Sequence, residues 1–170
     1  RHVLARDTSF PLMLIDEGMD TGKLLSYRTL HITENETTPE LTDRLISLSD
    51  ELLQEYVPAY LSSELQPKNQ PHPNRATYSR KLTKADSLID WNEPAVAIER
   101  KIRAFLGWPG SRTTLGSIDV IITSAHVSPA ESELSKRCGD GNYLVIDTLK
   151  PAGKKEMPAR AFLAGYKHRI

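Results

Sequence analysis

One aspartate in this sequence stands where many enzymes keep a catalytic carboxylate. Asp20 lies in the loop GMDTG, between Gly18 and Gly22 and directly before Thr21, and the loop follows a short apolar run at residues 10–15. Loops at strand ends are where α/β sheets bind ligands, and a carboxylate held there can orient a second group or move a proton. Loops of this composition are also common as plain turns, in which the aspartate caps its own backbone. The residues alone leave both interpretations open.

The remaining reactive side chains form no recognisable constellation. Cys138 is the only cysteine, so the chain can form neither an internal disulfide nor a cysteine-based zinc site, and a reducing, cytoplasmic setting fits best. The histidines lack metal-ligand spacing, and no dinucleotide fingerprint, P-loop or nucleophile elbow is present. We therefore expect no metal, and we expect His31 and His126, which lie in strand-like runs, to be structural or exposed. The other histidines are His2, His72 and His168.

Positive charge is concentrated in the second half of the chain. Residues 1–78 carry 7 Lys+Arg against 12 Asp+Glu, a net −5, whereas residues 79–170 carry 15 against 10, a net +5. A basic module is the one that a polyanion binds, and the alternative is an ordinary solvated face. The candidate phosphate contacts form two groups: Arg80, Lys81, Lys84, Arg100, Lys101, Arg103 and Arg112, then Lys150, Lys154 and Lys155.

The first half has the pattern of two strands and a helix. Apolar runs at residues 10–15 and 23–32 predict the strands that hold the Asp20 loop. Thr37 or Thr38 predicts a helix N-cap, with Glu40 closing a capping box, and the leucines that follow share one helical face until the helix ends near Pro58, with a further turn or two as the alternative. No apolar run approaches the roughly 20 residues that would cross a bilayer, so we expect no membrane partner.

A proline-rich stretch separates this half from the next. Residues 66–74, QPKNQPHPN, contain three prolines and almost no apolar side chain, and this composition is typical of a linker. Beyond it, Thr83 and Asp86 predict a short capped helix, and Asn92 predicts the cap of a second helix whose apolar face holds residues 95, 98, 102 and 105. Runs at 111–115, 118–127 and 143–149 predict strands of a small barrel or curled sheet, followed by a helix at about 158–163.

Four strings, in order along the chain, resemble the methionyl-tRNA formyltransferase family. They are PLMLIDEGMDTGKLL at 11–25, ATYSRKLTKADSLIDWN at 76–92, IERKIRAFLGWPGSRTT at 98–114 and LKPAGKKEMPARAFLAGY at 149–166. The first is similar to the family's strand and catalytic aspartate loop, and the last three are similar to its C-terminal domain. The last two strings argue against relatives that share only the catalytic domain. A third, weaker interpretation is a sugar-nucleotide formyltransferase, and the basic second half and the string AGKK argue against it.

The resemblance implies an α+β protein. Residues 1–65 would be the last strands and helix of an incomplete Rossmann-like formyltransferase domain, residues 66–82 a Pro-rich linker, and residues 83–170 a small OB-type β-barrel with flanking helices. The implied reaction transfers a formyl group from 10-formyltetrahydrofolate to the methionine amine of initiator methionyl-tRNA, in translation initiation. Asp20 matches the catalytic aspartate, with Gly18, Thr21 and Gly22 forming its loop, and the basic residues of the barrel would contact tRNA. We expect a cytoplasmic monomer.

The chain also departs from the family pattern. The family's catalytic asparagine and histidine and its folate-contacting loop precede the position where Arg1 stands, and His2 does not match that histidine. Ala5 and Arg6 replace a small Ala-Gly pair, and residues 128–141 are shorter than the family's connection. We therefore expect a C-terminal part of the enzyme that is inactive alone. The alternative is a catalytically silent RNA-binding module that keeps the barrel.

Overall fold

The computed structural model describes residues 7–71 and 73–170, apart from the side chain of Pro73. It shows a mixed α/β chain in which a two-stranded sheet with a long helix precedes a five-stranded sheet with two helices. The expectations about His2, about Ala5 and Arg6, and about His72 fall outside the described residues.

The first module is an antiparallel hairpin covered by one helix. Strand β1 (Asp7–Met13) pairs with β2 (Leu24–His31), and helix α1 (Thr38–Leu61) packs on both strands. The sequence placed the first strand at 10–15, but it ends at Met13. There the Leu14 amide donates to the Lys23 carbonyl at 2.9 Å and closes the hairpin, and Ile15 is left almost fully exposed.

The start of α1 was predicted from its cap, and its end agrees with the longer of the two predicted ends. The Thr37 amide donates to Glu40 Oε2 at 2.9 Å, which confirms the capping box. The helix was expected to end near Pro58, with another turn or two as the alternative, and it continues through Pro58 to Leu61. Pro58 has no amide hydrogen to donate, so the helix lacks one hydrogen bond there. Its carbonyl still accepts one from the Ser62 amide at 2.9 Å, and the last turn stays hydrogen-bonded.

The second module is built on an antiparallel sheet. Its strands are β3 (Ser111–Leu115), β4 (Ile118–Ser128), β5 (Ser135–Arg137), β6 (Tyr143–Pro151) and β7 (Met157–Pro158). The hydrogen-bonded order is β3-β4-β6-β5, and β7 also pairs with β6. Two register shifts, on either side of Ser124, bend β4 just beyond the end of its pairing with β3, while its pairing with β6 continues. The described strand pairs form an open path whose ends are β3 and β5.

Helices α2 (Ala95–Ala104) and α3 (Ala159–Tyr166) cover this sheet. The expected apolar face of α2 is confirmed, because Ala95, Ile98, Ile102 and Phe105 are all buried. Its expected cap is wrong. Asn92 bonds instead to the Asp90 carboxylate through both its backbone and its side-chain nitrogen, and Pro94 stands at the cap.

The short capped helix is the 3-10 turn Lys84–Ser87, with the expected Thr83–Asp86 capping box. The last helix was expected at about 158–163 and runs about one turn further, to Tyr166.

The two modules meet where α1 begins and α2 ends. A buried apolar cluster joins Ile32 and Leu41 of the first module to Ala104 and Phe105 of the second. The Thr38 hydroxyl donates to the Ala104 carbonyl at 2.7 Å. No helix in the described ranges is long and apolar enough to cross a membrane.

Candidate catalytic loop and basic grooves

The loop between β1 and β2 is organised by Asp16. Its Oδ1 accepts the Gly18 amide at 3.0 Å and the Thr21 hydroxyl at 2.6 Å, which is an Asx-type turn. Asp20, two residues after Gly18, keeps an exposed carboxylate and a backbone φ of 59°. Asp16 was not among the predicted site residues, although its two-residue spacing from Gly18 was the available signal.

A linker residue holds the other side of this loop. The Gln70 side-chain amide donates at 2.8 Å to the Asp20 carbonyl and at 2.8 Å to the Gly22 carbonyl. The backbone of Lys68 pairs with Leu24 at the start of β2, through hydrogen bonds of 2.8 and 2.9 Å. The stretch at residues 66–70 thus lies against the loop that carries Asp20.

Three strands align two basic side chains on one face of the second sheet. Arg112 of β3 pairs with Ile121 of β4, which pairs with Lys150 of β6, so the three residues form one row across the sheet. Core residues Ile122 and Leu149 belong to the opposite face, because neighbouring strand residues alternate. Arg112 and Lys150 line a groove of about 460 Å³ whose rim continues into Pro151–Gly153, directly before Lys154 and Lys155.

A second groove contains three basic residues from the linker exit and from α2. It has a volume of about 460 Å³, and Arg80, Arg100 and Lys101 line it together with two acidic side chains, Asp86 and Glu93, and with apolar ones. Lys101 Nζ also donates to the Leu88 carbonyl at 3.3 Å, and Leu88 lines the first groove. The two grooves therefore adjoin along the segment that precedes α2.

Ion pairs occupy two of the predicted phosphate contacts. Arg80 binds the Asp86 carboxylate, and this hydrogen bond, with the Thr83 amide, holds the Asp86 pKa well below its usual range. Arg103 is mostly buried. Its Nε and Nη2 bind the Glu99 carboxylate at 2.5 and 3.0 Å, and its Nη1 donates to the Glu36 carbonyl at 2.9 Å.

The other predicted contacts are exposed to solvent, except Lys101, which is half-buried. Among the described residues, no ion pair is found for Lys81, Lys84, Arg100, Arg112, Lys154 or Lys155. The structure thus brings Arg100 and Arg112 to neighbouring grooves, and it turns Arg103 toward the first module.

The described histidines with partners form exposed cross-strand pairs. His126 Nδ1 lies 2.9 Å from an Asp147 oxygen across β4 and β6, and His31 Nδ1 lies 3.1 Å from an Asp7 oxygen across β1 and β2. Both ring pairs are solvent-exposed, in agreement with the expectation of structural or exposed histidines. In the described ranges no group of three or more His, Cys, Asp or Glu side chains could hold a metal ion.

Comparison with known proteins gives consistent matches. Residues 81–167 match the family model described as "Formyl transferase, C-terminal domain". A methionyl-tRNA formyltransferase of Myxococcus xanthus is 36% identical over 172 residues, which are 95% of this chain and 54% of that protein. The same enzyme of Acidovorax ebreus is 34% identical over 175 residues, 94% of this chain and 54% of that protein. The chain spans about half the length of the curated relatives it matches.

Solved structures share the fold. HypX of Aquifex aeolicus superimposes with a TM-score of 0.71 at 16% identity, over 97% of this chain and 32% of that one. A methionyl-tRNA formyltransferase of Clostridium thermocellum superimposes with a TM-score of 0.61 at 19% identity, over 86% of this chain and 56% of that one. At these identities the likeness is one of fold.

Proposed function

This chain belongs to the formyl transferase family, whose C-terminal domain covers half of it, and we propose that it is the C-terminal part of a methionyl-tRNA formyltransferase. The parent enzyme transfers a formyl group from 10-formyltetrahydrofolate to the methionine amine of initiator methionyl-tRNA. The names of relatives at 34–36% identity support the tRNA substrate, and a structure of HypX in complex with tetrahydrofolic acid supports the folate. With its single cysteine, the chain suits the reducing cytoplasm in which translation occurs.

We place three segments within the parent. The hairpin and α1, in residues 1–65, are the last strands and helix of a Rossmann-like formyltransferase domain, and residues 66–82 are the linker. Residues 83–170 form an OB-type domain. The bend of β4 at its two register shifts supports this last assignment, because such bulges curl a sheet toward a barrel.

Asp20 is the one catalytic group that we assign to this chain. In formyl transfer the methionine amine attacks the formyl carbon, a C–N bond forms, and the C–N bond to the folate breaks as the amine proton moves to the folate nitrogen. A carboxylate beside this centre orients the proton-transferring group and stabilises the positive charge that develops on it. The exposed carboxylate of Asp20, on a loop fixed by Asp16 and Gln70, suits this role.

The observation that carries the RNA part of the proposal is the row formed by Arg112, Ile121 and Lys150. Two cations flank an apolar side chain on the outer face of a sheet, and the Arg100 groove adjoins this face. Cations spaced over adjacent strands contact successive phosphates, whereas the aliphatic side chain between them can lie against a sugar or base.

Salt-dependent tRNA binding by this chain tests the proposal. The dissociation constant is measured between 50 and 200 mM salt for the wild type, for Arg112→Ala and for Lys150→Ala. We expect each substitution to weaken binding and to reduce the slope of log K against log salt by about 1, because one phosphate contact is lost.

A matched control uses a basic residue from another surface. Lys167 binds Glu133 at the end of the chain, and Lys167→Ala should leave both the affinity and the slope unchanged. Salt-independent binding by the wild type, or equal losses in all three variants, would contradict an RNA-binding face at this row.

A further inference from the structure

Gln70 makes an unusual contact for a linker residue. Its single side-chain nitrogen donates both of its hydrogens to the loop, one to the Asp20 carbonyl and one to the Gly22 carbonyl, each at 2.8 Å. Gln70 itself is half-buried, whereas residues 74–85 of the linker exit are exposed. Its contact with the loop spans 50 residues of sequence.

The loop has a backbone conformation that this contact can hold. Asp20 has a φ of 59°, in the left-handed region that non-glycine residues rarely adopt. Such a conformation persists where surrounding groups hold it, and the Asp16 carboxylate reaches only Gly18 and Thr21 on one side of the loop. On the other side the donor is Gln70.

We propose that Gln70 is a positioning residue that fixes the backbone of Asp20, so that the linker takes part in shaping the catalytic loop. This inference rests on the proposed function for its effect on catalysis, and on the geometry alone for its effect on the loop. Since Lys68 is also paired with Leu24, a displacement of residues 68–70 would move the loop, and the linker that leads to the RNA-binding module would be coupled to the catalytic carboxylate.

The first test measures the loop in the chain itself, by hydrogen exchange. The reporters are the Leu14 amide, which closes the hairpin, and the Gly18 amide, which binds Asp16. Gln70→Met keeps the length of the side chain and removes both donors, so exchange at these two amides should accelerate at least about fivefold, as expected for two lost hydrogen bonds.

Two further variants sharpen this test. Gln66→Met is the matched control, because Gln66 lies in the same linker and its side chain bonds only to the nearby Ser63 carbonyl. It should leave loop exchange unchanged. Gln70→Glu places an acceptor against two carbonyls and should accelerate exchange more than Gln70→Met does. Wild-type exchange in both Gln70 variants would overturn the proposal.

The second test uses the complete enzyme and initiator methionyl-tRNA. Gln70→Met should lower kcat about tenfold with little change in KM for tRNA. In the Asp20→Asn background, Gln70→Met should lower kcat by less than about a further twofold. A residue that acts through Asp20 has no effect on kcat once the carboxylate is gone. Independent, multiplying effects would overturn the positioning role. A wild-type enzyme without formylation activity would refute the proposed function, and the exchange result would still decide the structural role of Gln70.

Discussion

Asp16 and Asp20 lie four residues apart in one loop and have different environments. The Asp16 carboxylate accepts hydrogen bonds from the Gly18 amide and the Thr21 hydroxyl, whereas Asp20 has an exposed carboxylate and a left-handed backbone conformation. The difference follows from their positions in the loop. Asp16 lies two residues before the Gly18 amide and can close an Asx turn, whereas Asp20 lies in the middle of the loop and faces solvent. The first aspartate therefore builds the loop, and the second is available to a substrate.

Asp20→Asn in the complete enzyme should lower formylation turnover more than tenfold, within the range that general acid–base groups supply. The amide keeps the shape of the side chain and removes its charge, so KM for tRNA should change little. Turnover is measured with saturating 10-formyltetrahydrofolate, and Glu17→Gln, an exposed neighbour in the same loop, is the control. An unchanged rate would remove Asp20 from the mechanism and leave the chain as an RNA-binding module.

Gly22→Ala should destabilise the chain by about 1–3 kcal/mol, the usual cost of forcing extra volume into a packed site. A Cβ at Gly22 would overlap the Leu14 carbonyl oxygen, which is backbone and cannot rotate away. Urea denaturation gives the free energy of unfolding. Gly165→Ala is the contrast, because this glycine is helical with open space around it, and it should gain up to about 1 kcal/mol. Equal effects at the two positions would contradict the packing described for the loop.

At the scale of elements, local signals determined most of what the sequence could predict. The Thr37–Glu40 and Thr83–Asp86 capping boxes are confirmed because a cap involves only residues three apart. Asn92 was wrongly predicted to cap α2, because its backbone and side-chain nitrogens donate to the nearby Asp90 carboxylate instead. The contact between Gln70 and the loop was not predictable, since it joins residues 50 positions apart through a linker whose composition indicates only flexibility.

The Thr83–Asp86 turn should make the second module sensitive to acid. Hydrogen bonds from Arg80 and the Thr83 amide lower the pKa of Asp86, so its stabilising effect is fully present above its unfolded pKa of about 4 and is lost as the pH falls through the lower folded value. Asp86→Asn should therefore be less stable than wild type at pH 7, and the difference should shrink steadily below about pH 4. Denaturation at pH 7, 4, 3 and 2 measures this difference, and a gap that stays constant with pH would rule out the ionised carboxylate as its source.

For the whole molecule, the contact between the modules includes one arginine that was predicted to bind RNA. The charge pattern gave Arg100 and Arg103 equal weight, because both lie on the polar side of α2. Three residues correspond to most of a helical turn but not to a whole one, and the small offset turns Arg103 toward the carbonyl of Glu36 in the first module. Only the docked arrangement of the two modules distinguishes the two side chains.

Substitution of Arg103 should lower the stability of the chain, whereas substitution of Arg100 should lower its affinity for tRNA. Arg103→Ala removes a donor to the Glu36 carbonyl and leaves the Glu99 carboxylate unpaired, so it should cost about 2 kcal/mol of unfolding free energy. Arg100→Ala, on the exposed side, should change stability by less than about 0.5 kcal/mol and should weaken tRNA binding at low salt. Denaturation and binding measurements on both variants give the comparison, and a stability loss at Arg100 with none at Arg103 would reverse the assignment.

Helix α1 has a consequence for how the chain returns to its second module. Its 24 residues are about 36 Å long, its first turn touches Ala104, and the connecting segment starts at its far end. The 13 residues from 71 to 83, which follow the tether at Gln70, can reach roughly 45 Å when extended, only somewhat more than the length of the helix. The chain beyond this tether therefore has little excess length, so residues 76–82 can be lengthened but not greatly shortened without pulling on one of the modules.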